Sequence, residues 1–225
     1  MTRPTLAVLF DLDGVLVDTE ALITELWADI FEGHGLALTP AEITRLTAGQ
    51  RFEGVLHALE EQRGWKAPED FLPMLDDRFN AAFGHVPLIE GAVETLEALR
   101  AAGIPFALAS NSQRNRLFMK LDGAGLTHWF GPHAYDPSCT GGRGKPAPDL
   151  YLHAAAQLGM PAAECVVVED SLPGAQAGIR AGASVYGLLA GSHHLPDDEA
   201  NLLDLGVKRV VHSHADLRTA LGLPG

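Results

Sequence analysis

Apolar and polar positions along the chain change period several times, and each change marks an element. Residues 6–10, Leu-Ala-Val-Leu-Phe, form an unbroken apolar run that stops at Asp11. A short apolar run without alternation reads as a strand buried on both faces, the usual state of a parallel sheet. After Thr19 the period lengthens. Leu22, Leu26, Ile30 and Phe31 recur at helical spacing until Gly33-His34-Gly35 closes the run. Thr39-Pro40-Ala41-Glu42 has the form of a capping box with proline at the first helical position, opening a second helix that reaches Leu46. Phe52, Val55, Leu56 and Leu59 mark a third helix; Phe71, Leu75, Phe79 and Phe83 mark a fourth. No strand-like pattern lies between Thr19 and His85, so this stretch reads as a separate helical block.

From Pro87 onward helix and strand alternate. The pattern predicts helices over 91–102, 114–121, 148–158, 174–181 and 215–221, and strands over 105–109, 133–135, 165–168, 184–189 and 207–211. Such alternation implies a parallel sheet covered by helices on both faces. The expected fold is therefore a doubly wound, Rossmann-like α/β core with an α-helical cap inserted after its first strand. The expected division is 1–17 and 87–225 for the core and 18–86 for the cap.

Composition narrows the function classes. The chain has 225 residues, 47% hydrophobic and 20% charged, with 29 acids against 16 bases and a net charge of −13. This is a globular composition. It is a poor match for nucleic acid, which needs a basic face. No apolar stretch approaches the roughly 18 residues of a membrane span. Cys139 and Cys165 are too few for a disulfide framework. A monomer in the cytoplasm is expected, with histidines 193, 194, 212 and 214 at the surface and Trp27, Trp65 and Trp129 used for packing.

Three predicted strands end in polar clusters: Asp11 and Asp13, Ser110 and Asn111, Glu169 and Asp170. A parallel sheet brings such ends to one edge, where open α/β sheets bind ligands. Four carboxylates there ionise together only around a cation. Oxygen donors suit a hard ion, by default Mg²⁺ where a phosphate supplies a ligand. Gly14 permits a sharp turn after the aspartate pair. Plainer roles stand beside these: solvated loop acids for the first pair, helix N-caps for Ser110, Asn111 and Asp170, a loop lysine for Lys145. Gly141-Gly142-Arg143-Gly144-Lys145 is no P-loop, because Cys139 takes the leading glycine position and Pro146 that of the metal-binding hydroxyl. Residues 135–144 read instead as a flexible loop reaching the lysine.

Phe10-Asp11-Leu12-Asp13-Gly14-Val15, Ser110, Lys145-Pro146-Ala147-Pro148-Asp149 and Glu169-Asp170 resemble, in order, the four motifs of the haloacid dehalogenase superfamily in its phosphatase and phosphomutase form. The resemblance implies Asp11 as nucleophile, Asp13 as general acid and base, and Ser110 and Lys145 on the phosphoryl group, with Asn111 adding a donor. It implies a metal held by carboxylate oxygens of Asp11 and Asp170 and the carbonyl of Asp13, with Glu169 beside it directly or through water. Dehalogenases lack an acid at the position of Asp13, which argues for phosphoryl transfer. Arg51 matches a cap loop that meets the substrate in relatives. The mutases carry a histidine on the first cap segment where this chain has Ile23. The expected function is Mg²⁺-dependent hydrolysis of a small phosphate monoester, a phosphosugar or similar metabolite. A β-phosphoglucomutase-like activity is the runner-up, and a non-hydrolysing phospho-acceptor module the alternative of another class.

Overall fold

The structure is a computed structural model that describes residues 6–47, 52–191 and 194–224. Among these, six strands form one sheet: β1 (Ala7–Phe10), β2 (Phe106–Ala109), β3 (Ala134–Tyr135), β4 (Cys165–Glu169), β5 (Ser184–Leu188) and β6 (Arg209–Val211). The spatial order is β3-β2-β1-β4-β5-β6, and every pairing is parallel. The chain winds outward from β1 on one side, then returns to β1 and winds outward on the other. The place where the winding reverses lies beside the carboxyl end of β1. Phe10 sits opposite Leu108 on one side and Val168 on the other, so Asp11 emerges level with the ends of β2 and β4.

Side chains of each strand alternate between two cores. Val8, Phe10, Leu108, Val166 and Val168 face α5 (Ala92–Ala101), α6 (Arg114–Gly123) and α11 (His214–Ala220). Ala7, Leu9, Ala107, Ala109, Cys165 and Val167 face α8 (Asp149–Gln157), α9 (Leu172–Arg180) and α10 (Asp198–Leu205). A short α7 (Thr127–Phe130) precedes β3. Neither α7 nor α10 is signalled in the sequence, since both are too short to show a clear period, and β6 begins two residues later than the apolar run suggests.

Between β1 and α5 lie α1 (Thr19–Gly33), α2 (Pro40–Thr47), α3 (Phe52–Arg63) and α4 (Phe71–Ala82), with no strand among the described residues. The capping box of α2 is formed: the Thr39 backbone N–H donates to the Glu42 carboxylate at 2.9 Å, and Glu42 N–H donates to Thr39 Oγ1 at 3.3 Å. Trp27 is the centre of this block. It stacks on Phe31 at 4.8 Å and meets the edges of Phe52 and Phe79. The chain leaves and re-enters the sheet layer through two short antiparallel segments. Asp18 N–H donates to Pro87 O at 2.9 Å, and Ile89 N–H donates to Leu16 O at 3.0 Å.

Of the four histidines expected at the surface, His193 lies outside the described residues, His212 is exposed, and His194 and His214 are not, His194 keeping only 10% of its side chain exposed. His214, the first residue of α11, is fully buried, bonded to Val15 O at 2.8 Å and to Thr95 Oγ1 at 3.1 Å. The pattern His212-x-His214 hid this, because burial here depends on α5 and the 14–17 loop closing over the start of α11. Residues 135–144 are also more regular than a flexible loop. Asp136 caps a 3-10 turn over Pro137–Thr140 and accepts from Ser138 N–H.

Candidate active site

The carboxyl ends of β1, β2 and β4 lie side by side, and their polar clusters meet there. Lys145, from the turn before α8, enters the same place. Its ammonium reaches Asp11 Oδ1 at 2.5 Å and Glu169 Oε1 at 2.6 Å. The Lys145–Pro146 peptide bond is cis. Asn111 holds this turn from below: its Nδ2 donates to Lys145 O at 3.0 Å and its Oδ1 accepts Lys145 N–H at 2.8 Å. Oδ1 and one of the two Nδ2 hydrogens of Asn111 are thus spent on the Lys145 backbone, and the second Nδ2 hydrogen is outside these two bonds.

Glu169 is fully buried and accepts five hydrogen bonds. Oε1 takes Lys145 and the Tyr151 hydroxyl at 2.7 Å; Oε2 takes the backbone N–H groups of Asp170 and Ser171 and the Ser171 hydroxyl at 3.0 Å. The Ser171 Oγ in turn accepts Gly174 N–H as the N-cap of α9. Ser171, and not Asp170, therefore takes the capping role. A Cβ at Gly174 would collide with the Glu169 carboxylate, so only glycine lets α9 come this close. Ser110 does not cap α6 either, whose N-cap is Gln113. Its buried hydroxyl accepts Ser112 N–H at 3.1 Å.

Asp13 is held by residues that the sequence did not single out. Oδ1 accepts from Thr19 Oγ1 at 2.6 Å and from Lys120 Nζ at 2.7 Å; Oδ2 accepts from Ser112 Oγ at 3.1 Å. Thr19 and Ser112 stand next to the recognised motifs and could have been suspected from that. Lys120 and Tyr151 left no signal, because each looks like an ordinary helix residue until its neighbours are known. Arg51 lies outside the described residues. A cavity of about 320 Å³ opens between the helical block and the sheet layer; Ile23, Trp27, Phe79, Arg116 and the Asp13 partners Ser112 and Lys120 are among its walls.

Electrostatics separate the two aspartates. Burial pushes Asp11 well above the ordinary carboxylate range; Lys145 pulls the other way, and the charges of Glu169, Asp170 and Asp13 add to burial. Burial also raises Asp13, but the Lys120 charge and hydrogen bonds from Lys120, Thr19 and Ser112 more than offset it, and the net direction is down. Burial disfavours the Lys145 ammonium, yet the Asp11 and Glu169 charges outweigh it and raise its value. Burial, then the Glu169 and Asp11 charges, push Tyr151 well above its usual value, so it stays a donor.

Asp11, Glu169 and Asp170 each offer an oxygen within 4.8 Å of the other two. Among the described residues one ammonium faces Asp11 and Glu169 here. Two carboxylates share the one Lys145 ammonium, and a hard cation would offset the charge left over. The all-oxygen donor set fits Mg²⁺.

Comparison with known proteins agrees with this geometry. Residues 5–182 match the haloacid dehalogenase-like hydrolase family. The chain is 29% identical over 195 residues to 6-phosphogluconate phosphatase of Escherichia coli, covering 84% of this chain and 85% of that protein. It is 31% identical over 206 residues to hexitol phosphatase A of the same organism, covering 91% and 89%. A crystal structure of a hydrolase of this family from Deinococcus radiodurans, with bound phosphate and sodium, is 55% identical and superposes with a TM-score of 0.88 over 96% of this chain and 94% of that one. No helix among the described residues is long and apolar enough to cross a membrane. A family match across most of the chain, on a sheet edge that gathers Asp11, Lys145, Glu169 and Asp170, makes this protein an enzyme of the haloacid dehalogenase-like hydrolase family, of the phosphoric monoester hydrolase type.

Proposed function

We propose that this enzyme is a Mg²⁺-dependent phosphatase that hydrolyses a small phosphate monoester, a phosphosugar or similar metabolite, through an aspartyl phosphate on Asp11. The observation that carries the reading is the pairing of two differently tuned aspartates at one strand end: Asp11 against Lys145 in the carboxylate cluster, Asp13 two residues on in a nest of donors. Phosphatases acting on phosphogluconate and hexitol phosphates among the relatives support the substrate class. In this reading residues 1–17 and 87–225 are the catalytic core and residues 18–86 its cap.

Asp11 attacks phosphorus, and the bond to the ester oxygen breaks. Asp13 gives its proton to the leaving oxygen, then takes one from the water that attacks the aspartyl phosphate. In the free enzyme Asp13 is held ionised, which suits the second step. For the first step it must gain a proton, and the arriving phosphoryl charge favours that. Lys145 and the Ser110 hydroxyl steady the phosphoryl oxygens. Asp11 and Asp170 carboxylates and the Asp13 carbonyl would hold Mg²⁺, which when bound offsets the charge of the carboxylates and the phosphoryl group. Glu169 has both oxygens engaged by five donors, so its share is to orient Lys145 and the Asp170–Ser171 backbone. Ile23 occupies a wall of the adjoining cavity with no hydrogen-bonding group, which favours water over a second sugar as acceptor.

The test is a panel of phosphate esters incubated with pure protein, with and without chelator. Activity should vanish on chelation, return with Mg²⁺, and be absent in Asp11→Asn. Full turnover by Asp11→Asn would refute the nucleophile. Glucose 6-phosphate forming faster than inorganic phosphate from β-glucose 1-phosphate with a trace of the 1,6-bisphosphate would favour the mutase. Release of at most one phosphate per chain would favour the phospho-acceptor.

A further inference from the structure

Lys120 is 5% exposed on α6, between the core residues Leu117 and Leu121. A lysine that deep must have its charge paired and its donors used. Its ammonium meets Asp13 Oδ1 at 2.7 Å and Ser112 Oγ at 3.1 Å, and it stands 4.8 Å from the centre of the Phe83 ring, just past the end of α4. Two directions are therefore hydrogen bonds and a third faces an aromatic ring, an arrangement that attracts a cation. A buried ion pair seldom adds net stability over a well-packed apolar pair of the same size. Its presence beside a reacting carboxylate calls for a different reason.

The pattern on Asp13 supplies one. A carboxylate has about four acceptor positions. Thr19 and Lys120 fill two on Oδ1, and Ser112 fills one on Oδ2. The position left over is on Oδ2. We propose that Lys120 is a positioning residue for Asp13: braced against Phe83, it fixes the carboxylate so that Oδ2 presents its remaining position to the ester oxygen and to water. Phe83 and Thr19 belong to the helical block, Ser112 and Lys120 to the sheet layer. This inference rests on the proposed role of Asp13 as acid and base.

The experiment compares wild type, Lys120→Met, Lys120→Arg and Phe83→Leu on two substrates. One is an alkyl phosphate whose leaving oxygen needs a proton; the other is p-nitrophenyl phosphate, whose leaving group does not. Lys120→Met should lose roughly 100-fold in kcat on the alkyl ester, with KM within about threefold, and far less on the aryl ester. Lys120→Arg should recover part of the loss, and Phe83→Leu should show a smaller loss of the same kind. Equal losses on both substrates in Lys120→Met, or none, would overturn the proposal. An unaltered Phe83→Leu would overturn the bracing. Crystal structures of Lys120→Arg and Phe83→Leu provide a readout that does not need turnover, and that survives if Lys120→Met does not fold. An Asp13 carboxylate displaced in both is expected; one that keeps its wild-type place and partners in both overturns the proposal. Absence of any phosphatase activity in wild type would instead refute the functional reading, with the crystal structures still deciding the positioning role.

Discussion

Acid should destabilise this protein through one buried histidine, and the size of the effect follows from its partners. The carbonyl of Val15 only accepts, so His214 Nε2 must carry a proton, and in the neutral ring Nδ1 is left as an acceptor toward Thr95 Oγ1. Protonating Nδ1 would place a cation in a fully buried site with the Arg218 charge close by. Burial lowers His214 to about 4; the Val15 hydrogen bond is the next strongest influence and pulls up, followed by the Arg218 charge, which lowers, and Glu94, which raises. In the unfolded chain the ring titrates near 6.5. Between these values the unfolded state binds more protons, so stability falls as pH drops from about 6.5 to about 4 and is not changed further by this group below that. The full difference is about 3 kcal/mol, with about 1.4 kcal/mol lost by pH 5.5 and about 2.5 kcal/mol by pH 4.5. His214→Gln keeps an N–H donor for Val15 O and has no charge to gain. Urea unfolding of both proteins at pH 7.5, 5.5 and 4.5 isolates the effect, since all other titrating groups are shared. Wild type should lose about 2.5 kcal/mol more than the variant across this range. Curves that stay parallel within about 0.5 kcal/mol would show that His214 is accessible to protons in the native state, and the reasoning from burial would fail.

Two further outcomes test the packing around the site. Gly174→Ala forces a methyl group into the Glu169 carboxylate. It should cost about 1–3 kcal/mol in urea unfolding and lower kcat by freeing Lys145 from its partner; unchanged stability and turnover would count against the close approach of α9. Burial pushes the Cys165 thiol up to about 11, whereas Cys139 is only half-buried. Alkylation at pH 8 followed by peptide mass mapping should label Cys139 first, and faster labelling of Cys165 would contradict its place in β4.

The sequence alone determined what depends on local pattern. The apolar run before Asp11, the helical periods from Thr19 to Phe83 and the alternation from Pro87 onward specify a doubly wound sheet interrupted by a helical block, because strand and helix bury side chains with periods of two and 3.6. It also picked out Asp11, Asp13, Glu169 and Asp170, since polar clusters at strand ends stand out against apolar runs, and Lys145 through the Pro-Ala-Pro-Asp that follows it. What it left undecided are properties of neighbours distant in the chain. Lys120 reads as a surface lysine until Asp13, 107 residues away, meets it. Nothing local in the chain marks Tyr151 as the residue whose hydroxyl meets Glu169, or Asn111 as the one that holds the Lys145 backbone. His214 reads as exposed until α5 and the 14–17 loop cover it. Hydrophobic pattern assigns a residue to a face, because burial of apolar area is non-directional. Which donor meets which acceptor is directional and fixed within a few tenths of an ångström, and only the packed sheet, with both helical layers in place, decided it.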